Sequence, residues 1–237
     1  VVTTGQALAA ERARARAAAV TDFFAGMLAA PDPARLGREV SMREVLDSAA
    51  VQADTLEGQP ELAAEVRQVI GDTYLALGES ALAIEQFERA HALLDRAVPA
   101  GDLRTGILLS KLSRAHEFLG DIEAADSVLQ LADTLVAQHA DPDDPVRASV
   151  LDARGRLRER LGDLQAAEAL HRAALDLRLR VTPDDDESLA HSYNNLGAVL
   201  TQRGQVAVAE TLHAEAVAAA RRAYGDEHPL IASTLGQ

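Results

Sequence analysis

The chain has 237 residues, of which 48% are hydrophobic and 3% aromatic, and its formal net charge at pH 7 is −14. This charge argues against nucleic-acid binding, which needs clustered lysine and arginine. The absence of cysteine excludes disulfides, thiolate metal sites and cysteine nucleophiles. Alanine, leucine and glutamate dominate a composition that favours closely packed helices. We therefore predict an all-α protein without cofactor or metal.

The lead-in of the chain, residues 1–57, is predicted to contain two helices. The stretches "AAERARARAAAVTDFFAGMLAA" (9–30) and "SMREVLDSAAVQADTL" (41–56) have helical composition and are separated by "PDPARLGREV". We interpret them as a degenerate helix pair that caps the remainder of the chain. The alternating "ERARAR" (11–16) is typical of a solvated helix, and contact with anionic lipid headgroups is the alternative.

The rest of the chain repeats every 42 residues, the interval that separates Gly78, Gly120, Gly162 and Gly204. Three further columns of small residues keep the same interval: Gly71, Ser113, Gly155 and Gly197; Ala83, Ala125, Ala167 and Ala209; and Ala90, Ala132, Ala174 and Ala216. We predict an array over 58–237, with four full repeats and a truncated fifth. The repeats span about 64–105, 106–147, 148–189 and 190–231, and the fifth starts at 232.

Each repeat is predicted to form two antiparallel helices, A and B. The middle glycine ends helix A, because a left-handed C-cap costs glycine little. Asp121 and Asp163 follow their glycines directly and are placed to cap helix B. The small residue of helix A and the first alanine of helix B lie where the two backbones cross closely. The second alanine packs against the next repeat.

The columns resemble the tetratricopeptide repeat. "VIGDTYLALGESALAIEQFERA" (69–90) matches nearly every position of its pattern, and "YNNLGAVLTQRGQVAVAETLHAEA" (193–216) matches well. The third repeat departs from it by placing Arg154 and Arg158 at apolar positions. The period of 42, against about 34 in the common form, resembles the longer repeats of kinesin light chains. The resemblance implies a right-handed α-solenoid of antiparallel helix pairs that binds proteins or peptides.

The lead-in adds a second resemblance. An alanine- and arginine-rich helix, then "VTDFF", "GREVSMREVLD" and tetratricopeptide repeats, over residues 9–95, is similar to the region after the membrane segment of bacterial transmembrane serine/threonine kinases. This resemblance implies an extracytoplasmic interaction region of a larger signalling protein. If the resemblance does not hold, we expect the protein to be cytoplasmic. No glycine-rich phosphate loop, His-Arg-Asp or Asp-Phe-Gly motif occurs in the sequence.

The chain starts at Val1 rather than Met, so we expect a segment excised from a longer protein, with any kinase upstream. No stretch approaches the roughly 18 consecutive apolar residues of a membrane helix. We therefore expect no membrane insertion by this segment, while a membrane helix before it stays open.

Candidate catalytic or metal-binding residues are few. His171 and His213 lie one repeat apart, but both occupy the column of Phe87 and Leu129, so half-buried packing residues are favoured over a metal pair. The acidic run 184–187 lacks the ligand spacing of a calcium loop and is interpreted as a helix cap. We find no catalytic constellation and predict that this segment is not an enzyme.

The outward face of helix A is predicted to line a peptide-binding groove. The candidate groove residues are Gln68, Asp72, Ser110, Arg114, Asp152, Arg156, Arg160, His191, Asn194 and Thr201, and Glu117, Phe118, Glu159 and Gln202 share that face. Three arginines gather toward its middle, so the partner is predicted to be a protein or peptide with an acidic group. The alternative is that these arginines pair with neighbouring Asp152, Glu117 and Glu159 on an ordinary charged surface.

Two further functions stay open at this point. One is a stand-alone assembly scaffold unrelated to a kinase. The other is an enzyme with an unrecognised site, which a deep polar cavity with converging histidine and carboxylates would favour.

Overall fold

The computed structural model describes residues 4–29, 41–56 and 58–225, which form ten α-helices and no strand. The helices are α1 Thr4–Ala29, α2 Met42–Ala53, α3 Pro60–Ala76, α4 Ser80–Ala97, α5 Leu103–Leu119, α6 Ile122–His139, α7 Pro145–Arg160, α8 Leu164–Val181, α9 Asp186–Gln202 and α10 Val206–Tyr224. A 3₁₀ turn, Asp54–Leu56, follows α2. The all-α prediction is confirmed, and α3 to α10 form the four predicted helix pairs.

The two helices of the lead-in lie close to where the sequence placed them. Helix α2 starts at a capping box, in which the Ser41 side chain accepts from the Glu44 backbone N–H and the Glu44 carboxylate accepts from the Ser41 backbone N–H. In the segment 11–16, Arg16 forms ion pairs with Glu61 at 3.3 Å and Glu65 at 3.0 Å, both on α3. Arg16 therefore holds α1 to the first helix pair.

The turn between helices A and B follows the prediction in every repeat. Its glycine has a φ between +76° and +87°, which an L side chain rarely adopts, at Gly78, Gly120, Gly162 and Gly204. Asp121 and Asp163 accept hydrogen bonds from backbone N–H groups three residues ahead, and so cap α6 and α8. Glu79 and Gln205 replace them in the outer repeats and make no side-chain cap.

The close crossing of helices A and B explains why helix A has a small residue at the same position of each repeat. A Cβ added at Gly71 would lie 2.6 Å from the Phe87 ring, and one at Gly155 would lie 2.5 Å from the His171 ring. In the second repeat Ser113 fits, and its Oγ donates to the Ala125 carbonyl at 3.0 Å. The small residue and the side chain opposite it on helix B therefore form one packing unit per repeat.

The chain divides into two compact units, Val1–Ala100 and Gly101–Gln237. The first contains the lead-in helices and the pair α3/α4. In the second unit α6 packs on α7 and α8 packs on α9, while α7 contacts both α5 and α9. The predicted fifth repeat, from 232, lies outside the described residues. Among the described helices, none has the length and apolar character needed to cross a membrane.

Candidate peptide-binding cleft

The A helices of the second unit surround an open cleft of about 330 Å³, here called the arginine cleft. Its lining residues are Arg114, Glu117 and Phe118 on α5, Arg156, Glu159 and Arg160 on α7, and Gln202 on α9. The structure thus brings together the three arginines that the sequence analysis singled out. All seven residues come from the helix face that was predicted to line a groove.

Arg160 stabilises the wall of the cleft. Its Nη2 donates to the Glu117 backbone carbonyl at 2.8 Å, and this carbonyl belongs to the last turn of α5. This carbonyl also accepts from the Gly120 backbone N–H at 3.2 Å, and a cation near a helix C-terminus interacts favourably with the helix dipole. Arg114 lies over the Phe118 ring, with 5.5 Å between its Cζ and the ring centroid, in a cation–π contact.

Arg156 is the exceptional cation of the cleft. Within the described part of the chain it makes no hydrogen bond and no ion pair, and its Nε atom is buried without an acceptor. A buried donor without a partner is costly. The predicted alternative named Asp152, Glu117 and Glu159 as partners of the arginines. Arg156 forms an ion pair with none of the three, although its charge acts on nearby Glu117.

Glu117 is a buried carboxyl in the floor of the cleft. The residue is only 5% exposed, and its Oε1 atom has no hydrogen-bond partner among the described residues. Burial raises the pKa of Glu117, and the nearby positive charges of Arg156, Arg160 and Arg114 offset this rise only in part. Glu117 therefore lies close to the three arginines without a hydrogen bond from the described residues to its Oε1 atom.

Glu159 is engaged on both of its carboxylate oxygens. Oε1 accepts from Gln202 Nε2 at 3.0 Å, and Oε2 lies 3.5 Å from His171 Nε2. The first contact joins α7 to α9, and the second connects the cleft to the interior of the third repeat. Glu159 thus lines the cleft without pairing with its arginines.

A buried polar network lies beneath the cleft. His171 Nδ1 is 2.8 Å from Asp152 Oδ1, and Arg178 contacts both Asp152 and Ser192. The Ser192 hydroxyl lies 3.3 Å from Asp152 Oδ2. Burial would raise the pKa of Asp152, but the bonds to His171 and Arg178 outweigh it and hold that pKa below its usual range. The network therefore contains a charged carboxylate at neutral pH.

Two predicted groove residues lie below the surface, which corrects their expected exposure. Asp152 is 4% exposed, because the helix crossing turns it toward α8, where it contacts His171 and Arg178. Ser110 is 7% exposed and donates to the carbonyl of Gly106 on its own helix at 2.9 Å. Neither side chain is available to a peptide on the surface.

The remaining predicted groove residues are spread over both units. On α9 His191 is exposed, Asn194 is half-buried, and the exposed Thr201 donates to the Gly197 carbonyl at 3.0 Å. Gln68 and Asp72 lie on α3 of the first unit, half-buried and exposed respectively. None of these five lines the arginine cleft.

The sequence analysis underestimated the burial of His171 and missed two residues of its polar network. His171 was predicted to be half-buried, yet it is fully buried and polar in its contacts. Arg178 and Ser192 were not singled out, although they occupy columns filled by Val136 and Val150 one repeat earlier. Polar residues in apolar columns were the available signal. Arg154, which was noticed for this reason, pairs with Asp133 at 2.8 Å.

The acidic run 184–187 acts at the start of α9. Asp185 accepts from the Ser188 backbone N–H at 3.2 Å, and Asp186 pairs with Arg222 at 2.7 Å. These contacts fit the predicted helix cap. His213 is half-buried over Gly197. In the described ranges no three histidine, aspartate or glutamate side chains are grouped as a metal site would require.

Comparisons with known proteins identify the repeat. Residues 64–91 and 189–230 each match a tetratricopeptide repeat model. The structure is similar to that of BtubC (BKLC) from P. vanneervenii, with a TM-score of 0.61 and 20% identity over 80% of this chain and 77% of that chain. It is also similar to a putative kinesin light chain of P. anserina with nearly identical TPR-like repeats, with a TM-score of 0.52 and 18% identity over 91% of this chain and 98% of that chain.

No curated protein is significantly similar to the chain in sequence. The predicted tetratricopeptide repeats are confirmed by the two models over residues 64–91 and 189–230. The fold is shared with solved structures that include a putative kinesin light chain. The resemblance of the lead-in to bacterial kinases stays a prediction.

Proposed function

Since the chain carries tetratricopeptide repeats, which stack into scaffolds with extended binding surfaces, we propose that it binds a protein partner through an extended peptide. We place an acidic group of that peptide in the arginine cleft. The observation that carries this proposal is Arg156, a cleft-lining guanidinium with a buried Nε and no partner in the described structure. A carboxylate is the ligand that a guanidinium binds with paired, charge-assisted hydrogen bonds.

The charge balance of the cleft supports an anionic ligand. Three arginines face two glutamates there. The Glu117 carboxyl is buried, which disfavours its charged form and raises its pKa. Glu159 is engaged by Gln202 and His171. An incoming carboxylate therefore meets net positive charge in a chain that is acidic as a whole.

An enzyme is disfavoured by the position of the histidine beneath the cleft. His171 converges with Asp152 and Glu159, an arrangement that could serve acid–base catalysis. The histidine is, however, 0% exposed. A general acid or base must reach the proton that it transfers, so we assign His171 to the support of the cleft.

The double substitution R114E/R156E is expected to abolish the preference for acidic peptide. The acidic probe is the capped octapeptide Ala-Ser-Gly-Glu-Glu-Gly-Ser-Ala, and the neutral probe carries glutamine in place of both glutamates. We expect the wild-type protein to bind the acidic probe more tightly than the neutral one. Reversing two charges should weaken acidic-probe binding by at least about tenfold, since charge-assisted bonds contribute roughly 1.5–3 kcal/mol each. An NMR titration measures both affinities.

The matched control for this experiment is R158E. Arg158 lies on α7 between the two cleft arginines of that helix but does not line the cleft. The control carries half the charge change of the double variant, so R156E alone is titrated beside it. Equal binding of both probes by the wild-type protein, or equal losses for R156E and R158E, would refute the arginine cleft as an acidic-peptide site.

Replacing Glu117 with glutamine is expected to strengthen the binding of the acidic probe. Removing a like charge from the floor of the cleft should tighten acidic-probe binding by about threefold to tenfold at neutral pH. The affinity of the wild-type protein relative to that of E117Q should fall as the pH rises above the usual glutamate pKa of about 4.3, because Glu117 ionises across a window that its raised pKa extends upward. The glutamates of the probe ionise equally in both titrations. The same titration from pH 4 to pH 8 should show a flatter profile for E117Q, and matching profiles would contradict this role.

We further propose that the segment belongs to a larger bacterial signalling protein, with a membrane serine/threonine kinase as the preferred parent. The support for this parent is the lead-in "VTDFF" and "GREVSMREVLD" before the repeats. A stand-alone assembly scaffold is the rival. The gene sequence upstream of Val1 distinguishes them, because a kinase parent requires a kinase domain and a membrane helix there.

A further inference from the structure

Arg156 has two carboxylates within normal reach along its own helix. Asp152 lies four residues before it and Glu159 three residues after it. On an α-helix these spacings bring opposite charges together and usually favour their pairing. Neither carboxylate pairs with Arg156 in this structure. Arg156 forms no hydrogen bond and no ion pair with any described residue.

A single imidazole from α8 contacts both carboxylates. His171 Nδ1 forms a hydrogen bond of 2.8 Å with Asp152 Oδ1. His171 Nε2 has no hydrogen-bond partner among the described residues and lies at ion-pair distance, 3.5 Å, from Glu159 Oε2. The remaining oxygens are also occupied, because Asp152 Oδ2 is bound by Arg178 and Glu159 Oε1 by Gln202. The two carboxylates on the helix of Arg156 are thus turned toward the interior of the repeat, and Glu117 on α5 lies near Arg156 without an ion pair to it.

A histidine suits this position for a chemical reason. Protonated imidazole donates from two nitrogens on different sides of the ring, whereas Phe87 and Leu129, at the same position of the first two repeats, donate nothing. Burial lowers the pKa of His171, but the bonds to Asp152 and Glu159 outweigh it and raise that pKa above its usual value. The carboxylate contacts therefore favour the protonated form of His171.

The fourth repeat shows the difference that these partners make. His213 occupies the same column and packs over Gly197 as His171 packs over Gly155. Its Nδ1 atom has no hydrogen-bond partner among the described residues. His171 Nε2 likewise has no hydrogen-bond partner there. Packing over a glycine is therefore common to both histidines, whereas the hydrogen bond to Asp152 and the ion-pair contact with Glu159 are particular to His171.

We propose that His171 is a positioning residue for the arginine cleft: by holding Asp152 and Glu159, it leaves the Arg156 guanidinium available to an anionic ligand. The part of this inference that concerns a ligand rests on the proposed function. Its structural part, that loss of His171 lets Glu159 pair with Arg156, is independent of that function. His171 itself touches no ligand.

The test compares three variants with the wild-type protein. H171F introduces the residue that fills this column in the first repeat, so the space over Gly155 stays occupied. H213F makes the same exchange in the fourth repeat and is the matched control. H171F/E159Q removes the charge that H171F releases. Each variant is crystallised and titrated with the acidic octapeptide, and H171L, which copies Leu129, replaces H171F if that variant does not fold.

We expect the Glu159 carboxylate within ion-pair distance of Arg156 in H171F, and acidic-probe affinity lowered by about threefold to fivefold, as for a competing surface ion pair. H213F should bind as the wild-type protein does, and H171F/E159Q should recover the affinity. Unchanged Glu159 in H171F, an equal loss in H213F, or no recovery in the double variant would overturn the proposal. If the wild-type protein shows no preference for the acidic probe, the proposed function fails, and the Glu159 position in H171F then decides the positioning role alone.

Discussion

Replacing Asp152 with alanine is expected to lower the free energy of unfolding by about 3–5 kcal/mol, the range found when one partner of a buried ion pair is removed. Asp152 is 4% exposed and is the carboxylate shared by His171, Arg178 and Ser192. Without it, Arg178 keeps a charge that water cannot reach, because this arginine is only 7% exposed. Urea denaturation followed by far-ultraviolet circular dichroism measures the change.

The second repeat provides the control for this prediction. A quadruple variant, D152S/H171L/R178V/S192V, reproduces the equivalent residues Ser110, Leu129, Val136 and Val150. Because it removes the charges together and restores an apolar core, we expect it to lose no more than about 1 kcal/mol, or to gain stability. A single variant as stable as the wild-type protein, or a quadruple variant as unstable as the single one, would show that the network does not hold a buried charge.

The repeat and its turns could be predicted because they depend on local spacing. A glycine at a positive φ, an aspartate directly after it and a small residue at a helix crossing each have a physical cause within a few positions of the chain. Gly120 with Asp121, and Gly162 with Asp163, therefore take the predicted conformations. The same reasoning located the helix face that carries the arginine cleft.

Whether the cleft arginines pair with neighbouring carboxylates could not be predicted from the helix face alone. Helical spacing allows Arg156 to pair with Asp152 or Glu159, and the outcome depends on His171, which comes from another helix. The groove pattern also placed Asp152 at the surface, whereas it is buried in contact with His171 and Arg178 on α8. Side-chain contacts between helices set both results, and periodicity contains no information about them.

Replacing Gly155 with alanine is expected to disturb both the packing of the third repeat and the arginine cleft. The added Cβ would lie 2.5 Å from His171 Cε1 and 2.6 Å from His171 Nε2, closer than real contacts allow. The imidazole must move, and its bonds to Asp152 and Glu159 depend on its present position. Overpacking of this kind costs about 1–3 kcal/mol in the free energy of unfolding. Urea denaturation and titration with the acidic octapeptide measure the two effects.

The packing role of His171 can be separated from its positioning role with the residue pair found at the same positions of the second repeat. There Ser113 faces Leu129, and the Ser113 hydroxyl donates to a backbone carbonyl of helix B. The variant G155S/H171L copies this pair and should recover the stability that G155A loses, to within about 1 kcal/mol. It should not recover acidic-probe affinity, since it lacks the imidazole that holds Glu159. Recovery of both would assign His171 to packing alone, and recovery of stability only would connect the small-residue column of the repeat to the availability of Arg156.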